Sequence, residues 1–111
     1  MLLSDLALQQ NLHHALESLQ FLEATPVQAE VIPVALEGKD LLVSAETGSG
    51  KTAAFLLPIL QRMLVSKTPA NGTRALILVP TRELARQINK QCRDFVRYTG
   101  LKVGVITGGD E

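Results

Sequence analysis

Apolar residues fall along this chain in two kinds of run, spaced and continuous. Leu12, Ala15, Leu16 and Leu19 recur every three to four residues, which predicts an amphipathic helix over residues 9–19. Residues 23–25 form a connector. Thr25 before Pro26 reads as an N-cap with proline in the first helical position. The helix it opens passes Val31, Val34 and Ala35 before Gly38 stops it. Pro33 lies inside that span and predicts a kink or a shortened first part.

Leu41-Leu42-Val43 is uninterrupted and apolar between turn signals, the pattern of a strand buried on both faces. A glycine-rich loop follows, then a helix over residues 51–65, bent near Pro58. Residues 66–73 have loop composition. Residues 75–79 read as a second buried strand. Leu84, Ile88, Cys92 and Phe95 mark one face of the next helix, which Gly100 ends. Residues 103–106 predict a third strand, broken by Gly108-Gly109. The order strand, helix, strand, helix, strand predicts an α/β fold, a parallel sheet with flanking helices and right-handed crossovers.

Composition narrows this picture a little. The chain has 111 residues, 46% of them apolar, which suits one packed domain. Formal net charge is zero, so any nucleic-acid partner must be argued from a local motif. Cys92 is the sole cysteine, which excludes an internal disulfide and fits a reducing cytoplasm. Its spacing from His13 and His14 matches no zinc pattern. The N-terminus has no basic leader and reaches an acid at Asp5. The longest apolar stretch, residues 53–60, is too short to cross a bilayer and contains Pro58. The expectation is a soluble, cytoplasmic chain with no membrane partner.

The chemistry concentrates between the first strand and its helix. Ala45-Glu46-Thr47-Gly48-Ser49-Gly50-Lys51-Thr52 fits the phosphate-loop pattern, with alanine for the usual first glycine. Gly48 and Gly50 let the backbone curl so that successive N–H groups point at phosphate oxygens. The helix starting near Lys51 adds its positive end. Lys51 supplies a flexible charge for the β- and γ-phosphates, and the Thr52 hydroxyl can ligate Mg²⁺. An ordinary glycine-rich turn is the plainer reading, but the strand before and the helix after are the context this motif requires. The loop alone does not choose ATP over GTP, nor a motor over a small-molecule kinase.

Gln28 has two readings. Its planar amide matches the donor and acceptor edge of adenine, which would select ATP. Thr25-Pro26-Val27-Gln28 is equally a capping box, in which Gln28 reaches back to the backbone N–H of Thr25. The residues alone do not separate these roles, and both hold if the cap uses part of the amide. Further on, Pro80 ends a strand and Thr81 caps the following helix. The exposed N–H groups there, with Arg82, suit one phosphate; a plain cap beside a solvated arginine is the simpler reading.

Four segments in this order resemble the DEAD-box family of ATP-dependent RNA helicases, in the first half of its N-terminal RecA-like domain. Phe21 with Thr25-Pro26-Val27-Gln28 resembles the family's Q motif, and residues 45–52 its motif I, alanine included. Pro80-Thr81-Arg82-Glu83-Leu84-Ala85 resembles motif Ia, and Gly108-Gly109 the GG element. The resemblance implies a P-loop NTPase fold, ATP and Mg²⁺ as cofactors, and RNA held by its backbone without sequence preference. It implies that Phe21 packs on adenine, that Gln28 reads it, and that Ala45 through Thr52 hold the phosphates. It further implies that Pro80, Thr81, Arg82, Gly108 and Gly109 meet RNA. Three positions depart from the pattern: Gln20 replaces a glycine, Ala24 a proline and Leu3 a phenylalanine. These imply looser packing on adenine.

The family's Asp-Glu-Ala-Asp and Ser-Ala-Thr motifs do not occur in these residues, and Asp110-Glu111 comes too early to begin the first. The arginines of a second RecA-like domain are likewise not among them. An arginine finger alone contributes about 10³ to 10⁵ in rate. The expectation is therefore a truncated fold that binds ATP without hydrolysing it. Residues 1–40 would form a helical Q-motif region, and residues 41–111 the first part of the ATP-binding domain. An exposed sheet edge would favour self-association.

Overall fold

The computed structural model describes residues 1–38, 50–65 and 77–104. Within them lie a 3-10 turn, Leu3–Asp5, and four helices: α1 Gln10–Ser18, α2 Pro26–Leu36, α3 Lys51–Val65 and α4 Arg82–Phe95. The strand expected at residues 41–43 lies outside the described residues. The strands expected at 75–79 and 103–106 reach into them only at Ile77, Leu78, Val79, Val103 and Gly104, where no sheet pairing forms. Ile77 and Leu78 are exposed, Leu78 by 85%, whereas Val79 packs against the core. Val103 likewise packs against the core.

Helix α3 is the apolar centre. It buries Ala53, Ala54, Leu56, Leu57, Pro58 and Leu60, more than one stripe of its surface, as expected of a helix covered on several sides. It packs against α2 and α4, while α1 packs against α4. Leu12 and Leu16 of α1, Ile32 of α2 and Ile88, Cys92 and Phe95 of α4 complete the core with Leu3, Leu6 and Val96. Each fully buried leucine or phenylalanine contributes about 1.5–3 kcal/mol relative to exposure. The α3 side chain Gln61 also accepts the Gln9 backbone N–H at 2.6 Å, which ties the start of α1 to α3. Among the described residues no helix is long and apolar enough to cross a membrane.

α2 is continuous through Pro33 and ends at Leu36, with Gly38 left-handed at φ 86° just beyond its cap, the stop expected of it. Proline removes one N–H bond and crowds the preceding turn, but Ile32 is fully buried beside it and packing against α3 holds the helix. α4 stops at Phe95, short of Gly100. Val96 turns inward and is buried, and Thr99 closes the turn through its N–H and hydroxyl, both donating to the Val96 carbonyl at 2.9 and 2.8 Å.

The end of α1 sets the path of the chain beyond it. The Phe21 N–H donates to Leu16 O at 2.8 Å and the Gln20 N–H to Glu17 O at 3.0 Å. This is the Schellman arrangement, whose penultimate residue must turn left-handed. Gln20 does so, at φ 62°. The chain then pairs with the N-terminus: Leu3 N–H donates to Leu22 O at 2.8 Å and Ala24 N–H to Met1 O at 2.9 Å, around an antiparallel bridge between Leu2 and Glu23.

Candidate nucleotide-binding site

Helix α2 begins with a reciprocal cap. The Gln28 N–H donates to Thr25 Oγ1 at 3.3 Å, and the Thr25 N–H donates to Gln28 Oε1 at 3.0 Å. Pro26 occupies the first helical position, where its missing N–H costs nothing. Gln28 goes further than the cap. Its Nε2 donates to the Gly50 carbonyl at 3.1 Å, from α2 to the last residue of the glycine-rich loop. That carbonyl also accepts the Ala54 N–H at 3.2 Å and so opens α3. A side chain almost wholly removed from solvent thus joins two helix starts (Gln28 is 3% exposed).

The hydrogen-bond inventory leaves Gln28 something to offer. A primary amide has two N–H groups and two lone pairs on oxygen. The cap uses one lone pair and Gly50 one N–H. One donor and one acceptor remain, which is the complement of an adenine edge. The capping and base-reading roles are therefore compatible.

Gly50 is fixed by its neighbours. Its φ of 83° lies in the left-handed region. A Cβ there would sit 2.9 Å from Thr25 Oγ1 and 3.0 Å from Thr25 Cγ2, and closer still to Gln28 Nε2. Backbone and space both require glycine. Lys51 then stands exposed as the first residue of α3, with Thr52 half-buried behind it. A solvent-exposed cation and a hydroxyl in the first turn of a helix suit a phosphate and a hard metal ion. Ala45, Glu46, Thr47, Gly48 and Ser49 lie outside the described residues.

Thr25, Gln28 and Gly50 border one open cleft of about 610 Å³, lined also by Phe21, Leu2, Gln20, Leu22, Glu23 and Gln91, whereas Lys51 and Thr52 are not among its lining residues. Phe21 is half-buried, its ring edge-on to Phe95 with centroids 5.9 Å apart. Phe95 is fully buried, so the core backs one wall of the cleft. Leu3 is buried in the core and does not line it. Sequence reasoning did not place Leu2 or Gln91 at the cleft, and named Gln20 only as a departure that loosens packing on adenine. Leu2 arrives by backbone pairing and Gln91 from the flank of α4, neither with a sequence signature. Gln20 has one in retrospect, standing where a left-handed residue ends α1.

Pro80, Thr81 and Arg82 are exposed at the start of α4 and do not border this cleft. Thr81 Oγ1 accepts the Leu84 N–H at 3.1 Å, the cap expected of it. Gly108 and Gly109 lie outside the described residues. Cys92 is buried in the core, and burial pushes its thiol pKa up. Among the described residues no group of three or more His, Cys, Asp or Glu side chains is placed to hold a metal ion.

Comparison with known proteins defines the class first. The crystal structure of an RNA helicase from Chaetomium thermophilum bound to ADP superposes with a TM-score of 0.84 at 43% identity, over 94% of this chain and 26% of that one. A DEAD box protein from Methanococcus jannaschii superposes with a TM-score of 0.88 at 37% identity, over 100% of this chain and 30% of that one. The fold is that of a RecA-like P-loop NTPase domain. The DEAD/DEAH box helicase profile matches residues 25–111, and the chain belongs to that family. DEAD-box ATP-dependent RNA helicase 28 of Arabidopsis thaliana is 50% identical over 105 residues, covering 95% of this chain and 13% of that protein. The chain thus spans less than a third of each of these relatives.

Proposed function

We propose that this chain is the ATP-binding N-terminal part of an ATP-dependent RNA helicase. One observation carries the reading: Gln28 lines the cleft and bridges the start of α2 to Gly50, spending one lone pair and one N–H of its amide in doing so. A base held at Gln28 would have its phosphates directed toward Gly50, Lys51 and Thr52. Phe21 offers an apolar wall that the core holds in place. The residues fit the cofactors. Gly50 admits no side chain, Lys51 presents a cation, and Thr52 presents a hydroxyl for Mg²⁺. Bound Mg²⁺ would neutralise charge on the phosphates. The parallel sheet belongs to this proposal, with residues 41–43, 75–79 and 103–106 as its strands. So does the division into a helical region, residues 1–40, and the first part of the ATP-binding domain, residues 41–111.

The second half of the proposal concerns RNA. Thr81 uses its hydroxyl on Leu84, which leaves the first backbone N–H groups of α4 and Arg82 exposed for one phosphate. Such a contact carries no base preference. The 111 residues by themselves are expected to bind ATP without turning it over, since they contain no Asp-Glu-Ala-Asp sequence.

Nucleotide titration tests this. Binding of ADP or ATP should disappear in Lys51→Ala, and GTP should compete poorly against the wild-type chain. Gln28→Glu keeps the cap acceptor but removes the amide donors, so it should weaken adenine nucleotides and erase the preference. Equal affinity for ATP and GTP in the wild-type chain would remove Gln28 as the reader of the base.

A further inference from the structure

The outer face of α4 carries charge that the nucleotide cleft does not use. Arg82, Arg86, Lys90 and Arg93 are all exposed, and Arg97, also exposed, stands in the turn after the helix. At 3.6 residues per turn the four helical cations share an arc of about 80°. Ile88, Cys92 and Phe95, the buried side, lie opposite. The row from Arg82 to Arg93 is about 16 Å long at about 1.5 Å per residue. Four of the chain's 11 lysines and arginines thus lie on this row, in a chain of zero formal net charge.

Solvated helices gain from opposite charges three and four residues apart, and Glu83 with Arg86 and Lys90 with Asp94 have that spacing. Along the outward arc itself, however, Arg82 and Arg86, Arg86 and Lys90, and Lys90 and Arg93 are like charges at those spacings, and each such pair weakens the helix. Arg82 also puts a cation in the first turn, where the helix dipole disfavours it. Lys90 pairs with Asp94 at 3.4 Å, with its side chain still 81% exposed. Among the described residues Arg82, Arg86, Arg93 and Arg97 have no carboxylate partner. The row is continuous with the helix N-terminus capped by Thr81.

We propose that the outer face of α4 is a contact surface for the phosphate backbone of RNA flanking the phosphate held at the helix start. It rests on the reading that Thr81 and Arg82 meet RNA. The occupant must be a polyanion, because a row about 16 Å long cannot be filled by one small anion. Arginine predominates in the row, and its planar fork matches phosphate in two-point contacts. No base is read, so the surface adds affinity and salt dependence without sequence preference.

Anisotropy with a labelled oligouridylate, measured across a series of KCl concentrations on the whole 111-residue chain, tests this. R86Q/K90Q/R93Q removes three cations, and with them both the like-charge repulsion and the Lys90–Asp94 pair, so helix content by circular dichroism should stay close to wild type. Its affinity at low salt should fall about tenfold or more, and the slope of log K against log salt should flatten by about 2, at about 0.7 per phosphate on a single strand. Arg86→Gln alone should flatten it by about 0.7. Wild-type binding with unchanged affinity and slope in both variants overturns the stripe and leaves the motif at Thr81 standing. If Thr81→Val with Arg82→Gln abolishes binding while R86Q/K90Q/R93Q does not, the contact is confined to the helix start. A wild-type chain that ignores RNA, or binds phosphatidylserine vesicles instead, overturns both readings.

Discussion

Replacing Gln20 by glycine should make this chain more stable. Gln20 ends α1 at φ 62°, and the two hydrogen bonds of that turn, Phe21 to Leu16 and Gln20 to Glu17, both depend on it. A side chain in the left-handed region costs about 1–2 kcal/mol, from its Cβ against the following carbonyl. Glycine removes that cost but returns about 0.4–1 kcal/mol through the greater freedom of the unfolded chain. The Gln20 side chain is exposed and its loss removes little packing. The balance is a gain of about 0.5–1 kcal/mol. For a domain near this size, 1 kcal/mol moves the melting temperature by about 4–8 °C. Thermal unfolding of nucleotide-free Gln20→Gly should therefore show a rise of a few degrees. Gln20→Ala keeps the Cβ and should show none. Equal gains in the two variants would place the effect in the side chain, and a lower melting temperature in Gln20→Gly would refute a strained turn.

Gly50→Ala should reduce ATP affinity at least tenfold in a titration, because its Cβ meets Thr25 and displaces the Gln28 amide from the Gly50 carbonyl. Thr25→Ala should cost about 0.5–2 kcal/mol by urea unfolding through loss of the α2 cap, whereas Thr25→Ser should keep most of it. Burial raises the Cys92 pKa, so its contribution to stability is complete below the unfolded value and lost as pH rises through the folded one. Above about pH 8.5, the usual thiol value, wild-type stability should fall more steeply with pH than that of Cys92→Ala. Leu57→Ala in the fully buried centre of α3 should cost about 2–5 kcal/mol in the same urea experiment.

The helices were legible because their signals are local. Thr25-Pro26 gave the start of α2 as found, and the predicted span of α3, residues 51–65, matches its ends. The error came where tertiary packing outweighs a local rule. α4 ended before Gly100 because Val96 turns into the core. At the cleft, Phe21, Gln28 and Gly50 were readable from motif spacing, and the structure brings them together. Leu2 and Gln91 were not readable, since they reach the cleft through contacts distant in sequence. Nor does a glutamine announce a left-handed turn, which is why Gln20 went unnoticed as more than a departure from the family.

The Gly50 carbonyl serves two donors, the Ala54 N–H of its own helix and the Gln28 amide of another. Neither helix start can fray without disturbing an acceptor the other uses. Amide hydrogen exchange should report this as shared opening. The N–H groups of Thr25, Gln28 and Ala54, far apart in sequence, should exchange with similar protection and slow together when nucleotide is added. In Gln28→Ala that common behaviour should split, with Thr25 exchanging fast while Ala54 keeps the protection of α3. The shared carbonyl would then act as a hinge pin, through which occupancy of the phosphate loop is felt at the head of a different helix.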